Sequence, residues 1–252
     1  MTRTTLVTGG TGTLGRPVVD GLRAAGHTVR VASRRGSPMS ELPYQWSRVD
    51  YRDGAGLAAA LDGVDTVVHC ANSMRHTSET DRQVVDAAVR ARVGHFVHIS
   101  IVGVDRIPYS YYRAKLATER RLENSGLPYT ILRATQFHDL VRTVLAKATA
   151  LPLAPLPAGW RFQPVEVREV AERLVALADG RPVGRAPDFG GPQVRTLPDL
   201  AARYRESLGR TPRPVLPVPV PGGMAAAMRR GENLTPAHAD GRVTFEEHLA
   251  RL

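Results

Sequence analysis

Three side chains near the middle of the chain have the types and spacing for proton transfer beside a carbonyl group: Ser100, Tyr111 and Lys115. Tyr111 and Lys115 are four positions apart, so on a helix they share one face, one turn apart. A phenol, with a reference pKa of about 10, exchanges protons poorly at neutral pH until its anion is stabilised. A nearby ammonium lowers that pKa and makes the tyrosine a general acid toward a carbonyl oxygen receiving hydride, while Ser100 can hold the same oxygen. The competing reading is a surface helix in which Lys115 pairs with Glu119 and Tyr111 only packs. Composition weighs against it, because seven tyrosines and two lysines in 252 residues give about 7 × 2/252, roughly 0.06, chance Tyr-x-x-x-Lys pairs. The chain otherwise meets its need for cations with arginine, and a lysine here supplies a compact, rotatable donor.

Hydride chemistry needs a dinucleotide, and the amino end carries a loop of the right kind. Residues 4–8 read as a β-branched strand. They run through Gly9-Gly10-Thr11-Gly12-Thr13-Leu14-Gly15 into an apolar-periodic segment with Val18, Val19 and Leu22. Glycines let a backbone approach a ligand closely, and the amides at the start of the following helix favour a phosphate. Two spacings fit together: Gly9, Gly12 and Gly15 as G-x-x-G-x-x-G, and Gly10, Gly12 and Gly15 as G-x-G-x-x-G. The loop continues Arg16-Pro17, without the lysine and hydroxyl that an NTPase phosphate loop requires.

Residues 28–33 read as the second strand, closing in Ser33-Arg34-Arg35. Arg34 lies 19 residues beyond Gly15, where an NAD site would place a carboxylate. A guanidinium there suits the 2′-phosphate of NADP. A third strand, 45–49, ends in Asp50, a polar contact for adenine. A short helix follows over 54–61, then a continuous apolar strand over 64–71, ending in Ala71 with Asn72 beyond it. Apolar spacing predicts a helix over 80–93, closed by Gly94, and a strand over 95–102. This alternation specifies an α/β, Rossmann-type, doubly wound parallel sheet, with Gly12, Arg34, Asp50, Asn72 and Ser100 gathered beyond the carboxyl ends of its strands.

The helix carrying Tyr111 and Lys115 should run to about Asn124. The proline-rich segment 151–157 reads as an extended crossover. Residues 164–178 return to the sheet. A segment over 185–194, a helix over 197–208 and a proline-broken edge strand within 212–221 form a smaller C-terminal substrate lobe, with Phe245 and Leu249 on a docking helix. The expected division is a dinucleotide-binding domain over 1–150, its sheet completed by 160–190, and a partly interleaved lobe over 151–252. Trp160 and Phe162 read as packing before pocket lining.

On these residues the chain resembles the short-chain dehydrogenase/reductase superfamily, in its atypical, NmrA-like and isoflavone-reductase-like NAD(P)H-binding branch. Besides the glycine loop, Ser33-Arg34-Arg35 and the Ser100, Tyr111, Lys115 set, the stretch Ser125-Gly126-Leu127-Pro128-Tyr129-Thr130-Ile131-Leu132-Arg133 carries the likeness, which covers about residues 1–180. The resemblance implies an NADPH-dependent reductase of a carbonyl or conjugated double bond. In it Tyr111 protonates, Lys115 binds the nicotinamide ribose and tunes Tyr111, and Ser100 orients the substrate. It also implies that Phe137 and His138 look into the substrate pocket. The alternatives are an NADP(H)-sensing regulator without catalysis and an NAD-dependent epimerase or dehydratase.

A net charge of +10 would ordinarily raise nucleic acid as a partner, but the arginines are scattered rather than gathered, so none is expected. The one cysteine, Cys70, falls in an apolar strand and excludes an internal disulfide or a thiolate zinc cluster. No metal is expected. With no apolar run of membrane-spanning length and no leader, the expectation is a soluble, cytoplasmic protein acting on a small molecule, its oligomeric state open.

Overall fold

The computed structural model describes residues 3–37, 41–71 and 77–252. Its strands are β1 (Thr4–Thr8), β2 (Thr28–Ser33), β3 (Gln45–Arg48), β4 (Thr66–His69), β5 (His95–Ile101), β6 (Tyr129–Ala134), β7 (Ala154–Pro157), β8 (Arg161–Phe162), β9 (Gly184–Arg185), β10 (Arg195–Thr196) and β11 (Val215–Val218). Its helices are α1 (Gly15–Ala24), α2 (Leu57–Leu61), α3 (Thr77–Arg90), α4 (Ser110–Glu123), α5 (His138–Ala148), α6 (Val167–Asp179), α7 (Leu197–Ser207), α8 (Gly223–Arg230) and α9 (Phe245–Leu249).

Seven strands make one sheet in the order β3-β2-β1-β4-β5-β6-β9. The β1–β2, β1–β4, β2–β3, β4–β5 and β6–β9 pairings are parallel. This is a Rossmann-type α/β fold. The chain runs outward from β1 through β2 to β3, then returns to the other side of β1 as β4, so the order reverses beside the glycine loop. β1 and β4 are rich in β-branched residues and almost wholly buried because both faces are covered, and α1 turns Val18, Val19 and Leu22 inward. The core includes Leu6, Val67, Phe96, Val84, Val85 and Leu122.

The chain divides into two compact units: residues 1–100, 113–132 and 170–186, and residues 101–112, 133–169 and 187–252. The division does not fall at residue 150. β9, reached through α6, belongs to the large sheet, while the chain leaves the first unit after β6 and earlier, between β5 and α4. The second unit has its own core of Val141, Leu145, Leu156, Leu200 and Phe245, with Trp160 and Phe162 packed against it. The proline-rich segments pair with each other: β7 and β11 form a two-stranded parallel ladder, tolerable for proline because neither strand is central.

Local turns differ from expectation at two places. α2 starts only at Leu57, because Gly54 and Gly56 take φ of +79° and +80°, and a Cβ at Gly56 would meet the Arg48 carbonyl at 2.3 Å. α3 is stopped by Arg92 rather than Gly94. Arg92 takes φ of 53° so that the Val93 amide can return to the Ala88 carbonyl at 3.2 Å. Among the described residues no helix is long and apolar enough to cross a membrane.

Candidate cofactor and catalytic site

The loop after β1 is shaped by glycine at three linked positions. Gly9 takes φ of +67°, and a Cβ there would lie 2.7 Å from Ala71 Cα. The Gly12 amide donates to the Gly9 carbonyl at 2.9 Å, and a Cβ on Gly15 would meet that same carbonyl at 2.0 Å. Gly9, Gly12 and Gly15 therefore set the turn. Gly10 instead makes room for Val31, whose Cγ1 a Cβ would meet at 2.9 Å. Leu14, at the helix N-cap, gives no side-chain cap, and the first turn of α1 carries no acidic residue, which leaves its positive end open to an anion. Thr11 is half-buried, and Gly12 and Thr13 are exposed at the rim.

Tyr51, which sequence reasoning passed over, braces this loop. Its hydroxyl donates to the Ala32 carbonyl at 2.9 Å and accepts the Gly9 amide, and burial pushes the phenol above its ordinary pKa. Only its place two residues after the third strand hinted at this. Ala71 lies buried as the floor of the loop, its amide donating to Thr8 Oγ1 at 3.2 Å. Asn72 lies outside the described residues. Beyond β2, buried Ser33 accepts the Arg35 amide at 3.1 Å through Oγ, and Arg34 and Arg35 follow, both exposed. Asp50 is exposed, and one carboxylate oxygen accepts the Arg52 amide at 2.9 Å, closing a local turn.

Ser100 sits near the carboxyl end of β5, 3% exposed, and its Oγ has no hydrogen-bond partner among the described residues. Lys115, on α4, is equally buried rather than on a surface face, and its Nζ lies 3.5 Å from Asp81 Oδ2 on α3. Asp81 is thus a second residue the sequence reading missed. Burial pushes the Cys70 thiol up to about 12, against the Lys115 charge, so it stays protonated.

In the second unit Tyr111 is half-buried, with ring centroids 6.3 Å from Tyr109 and 6.2 Å from Tyr112. Burial raises the Tyr112 phenol to about 12, against a hydrogen bond with Gln136. Phe137 is half-buried at the N-cap of α5. His138 is 1% exposed, its Nε2 donates to the Val243 carbonyl at 3.1 Å, and its ring stacks on His248 at 4.9 Å.

A glycine cradle that a Cβ at Gly9 or Gly15 would fill and an uncapped helix start fit a dinucleotide. Comparison with known proteins agrees. The model of a family described as NAD(P)H-binding matches residues 9–178. A (4-alkanoyl-5-oxo-2,5-dihydrofuran-3-yl)methyl phosphate reductase from Streptomyces griseus is 32% identical over 217 residues, which are 81% of this chain and 74% of that one. Among solved structures, the NADPH-dependent quinone oxidoreductase of Escherichia coli complexed with NADPH superposes with a TM-score of 0.82 at 19% identity, over 98% of this chain and 99% of the other. The Citrobacter sp. triphenylmethane reductase complexed with NADP(H) does so with a TM-score of 0.82 at 20% identity and the same coverage. The chain belongs to the NAD(P)H-binding family.

Proposed function

We propose that the chain is an NADPH-dependent reductase acting on a carbonyl or conjugated double bond of a small organic molecule, with Ser100, Tyr111 and Lys115 as its catalytic residues. The observation that carries this reading is the cradle of Gly9, Gly12 and Gly15 opening onto the uncapped start of α1. Arg34 and Arg35, exposed beyond β2 with no carboxylate in their place, suit a 2′-phosphate and favour NADPH over NADH. The relatives that reduce a butenolide phosphate, quinones and a triphenylmethane support a reductase.

Bound NADPH would supply the hydride. Ser100 Oγ, buried and unpartnered, would hold the acceptor oxygen, and Lys115 would hold the ribose next to the nicotinamide. Tyr111, one turn before Lys115 on α4, would deliver the proton from its hydroxyl to the acceptor.

Tyr111→Phe should lower turnover at least about a hundredfold while NADPH binding stays intact. The assay is NADPH oxidation with a quinone and an unsaturated lactone as probes. Unchanged turnover would remove Tyr111 from the mechanism.

A further inference from the structure

Beyond the residues given to cofactor and catalysis, the first unit holds a buried chain of hydrogen bonds that runs from the strand before the glycine loop to Lys115. Thr8, immediately before Gly9, is in register with His69 on β4, and His69 is in register with His98 on β5. His69 Nε2 donates to Asp81 Oδ1 at 3.0 Å, because an ionised carboxylate can only accept. In that tautomer Nδ1 is the acceptor and takes the Thr8 hydroxyl proton at 2.6 Å, while Thr8 Oγ1 accepts the Ala71 amide. Asp81 Oδ2 accepts Thr118 Oγ1 at 2.8 Å and faces the Lys115 ammonium at 3.5 Å. Thr8, His69, Asp81, Lys115 and Thr118 are each at most 3% exposed.

Burial alone would raise the Asp81 carboxyl pKa, but Lys115 and His69 outweigh it and hold the group well below the usual carboxylate range. A dry ion pair of this kind adds little to stability, since its desolvation offsets much of its attraction, and an apolar pair would join α3 to α4 as well. What an apolar pair lacks is a cation at a fixed place.

We propose that Asp81 is the positioning residue of Lys115: its carboxylate, oriented by His69 and Thr118, sets the place and charge of the ammonium before the cofactor arrives. Through His69 and Thr8 the same chain ties that ammonium to the first residue of the glycine loop. Asp81 itself touches neither cofactor nor substrate. The inference rests on Lys115 meeting the cofactor, as proposed above. Among the described residues, the titratable groups around Asp81 include His69 and Lys115 in contact with it, His98 stacked on His69 at 5.4 Å, Cys70 next to His69 in the chain, and buried Glu119 one turn beyond Lys115 on α4.

The test is equilibrium NADPH titration of the full chain from about pH 6 to pH 10, comparing Asp81→Asn, Lys115→Met and the double variant. Lys115→Met should weaken NADPH about tenfold, and Asp81→Asn should do the same near neutral pH. The Asp81→Asn loss should deepen with rising pH, because a buried ammonium stripped of its carboxylate gives up its proton more readily, so affinity falls off at lower pH than in the parent. In the Lys115→Met background, Asp81→Asn should add less than about twofold. If Asp81→Asn does not fold, Thr118→Val, which loosens the same carboxylate, should give a loss of about threefold with the same pH trend.

Parent-like binding by Asp81→Asn or its substitute, or a pH-independent loss that adds in full to Lys115→Met, overturns the positioning role and leaves Lys115 at the cofactor. Unchanged binding by Lys115→Met overturns the cofactor contact, and the positioning role with it.

Discussion

In the first unit His69 stacks on His98 with ring centroids 5.4 Å apart, and in the second His138 stacks on His248 at 4.9 Å. In each pair one ring meets a buried carboxylate: His69 donates to Asp81 at 3.0 Å, and His248 Nδ1 lies 2.8 Å from Glu166. In each pair the other ring is held neutral. Burial, with Lys115 and His69 adding to it, puts His98 well below the ordinary histidine pKa, and burial brings His138 to about 4.

The pairs part at the second carboxylate oxygen. Asp81 Oδ2 faces the Lys115 ammonium, whereas Glu166 Oε1 accepts the Arg168 amide at 3.3 Å, at the start of α6. His248 holds the Glu166 carboxyl below its usual range, and the result is a clasp. It fastens α9, which also has a capping box between Thr244 and Glu247. The same pair of rings and a carboxylate therefore makes either a mount for a cation or a fastening for a helix, according to what takes the remaining oxygen.

The largest effect expected from this comparison is on acid stability. An unfolded chain takes up protons on His98 and His138 near pH 6.5, while the folded chain refuses them until His138 reaches about 4. Stability from these rings is thus full above about pH 6.5 and is lost as pH falls toward about 4, by at most about 3 kcal/mol for His138 alone. Urea midpoints taken from neutral to acid pH measure it; a flat profile would mean that neither ring is held neutral.

Next in size, Glu166→Ala removes the partner of His248 and the Arg168 amide contact together, and should cost about 2 kcal/mol at pH 7. If the second pair is only a clasp, NADPH affinity should stay within about twofold, and a loss like that of Asp81→Asn would erase the distinction. The smallest effect belongs to His98→Phe. Neither ring nitrogen of His98 has a partner among the described residues, so a phenyl should cost less than about 1 kcal/mol at pH 7 and flatten the acid limb. A loss of several kcal/mol would show that an imidazole is needed there.

Much of this was legible because it is local. The strand, glycine turn and helix at residues 4–24 lie in one window, and the four-residue spacing from Tyr111 to Lys115 is a helical period. The partners of those residues were not legible. Asp81 stands 34 residues before Lys115 on another helix, and His69 hides in an apolar strand, where a lone histidine reads as core. Nothing near Ala154 announces Val215, its partner in the β7–β11 ladder. The stop at Arg92 was misplaced because left-handed backbone is expected of glycine, and here the return of the Val93 amide outweighs that preference. Gln163 shows the same limit. Buried in the second unit, it donates to the Gly191 carbonyl at 2.8 Å and accepts the Thr235 amide at 2.8 Å, both far along the chain.

The central claim is that the loop at Gly9 to Gly15 and the arginines beyond β2 bind NADPH. Fluorescence titration of the parent and Arg34→Ala with NADPH and with NADH tests it most directly. The account predicts that NADPH binds at least about tenfold more tightly than NADH and that Arg34→Ala removes most of the difference while sparing NADH. Failure to bind either nucleotide, or equal weakening of both by Arg34→Ala, would contradict it.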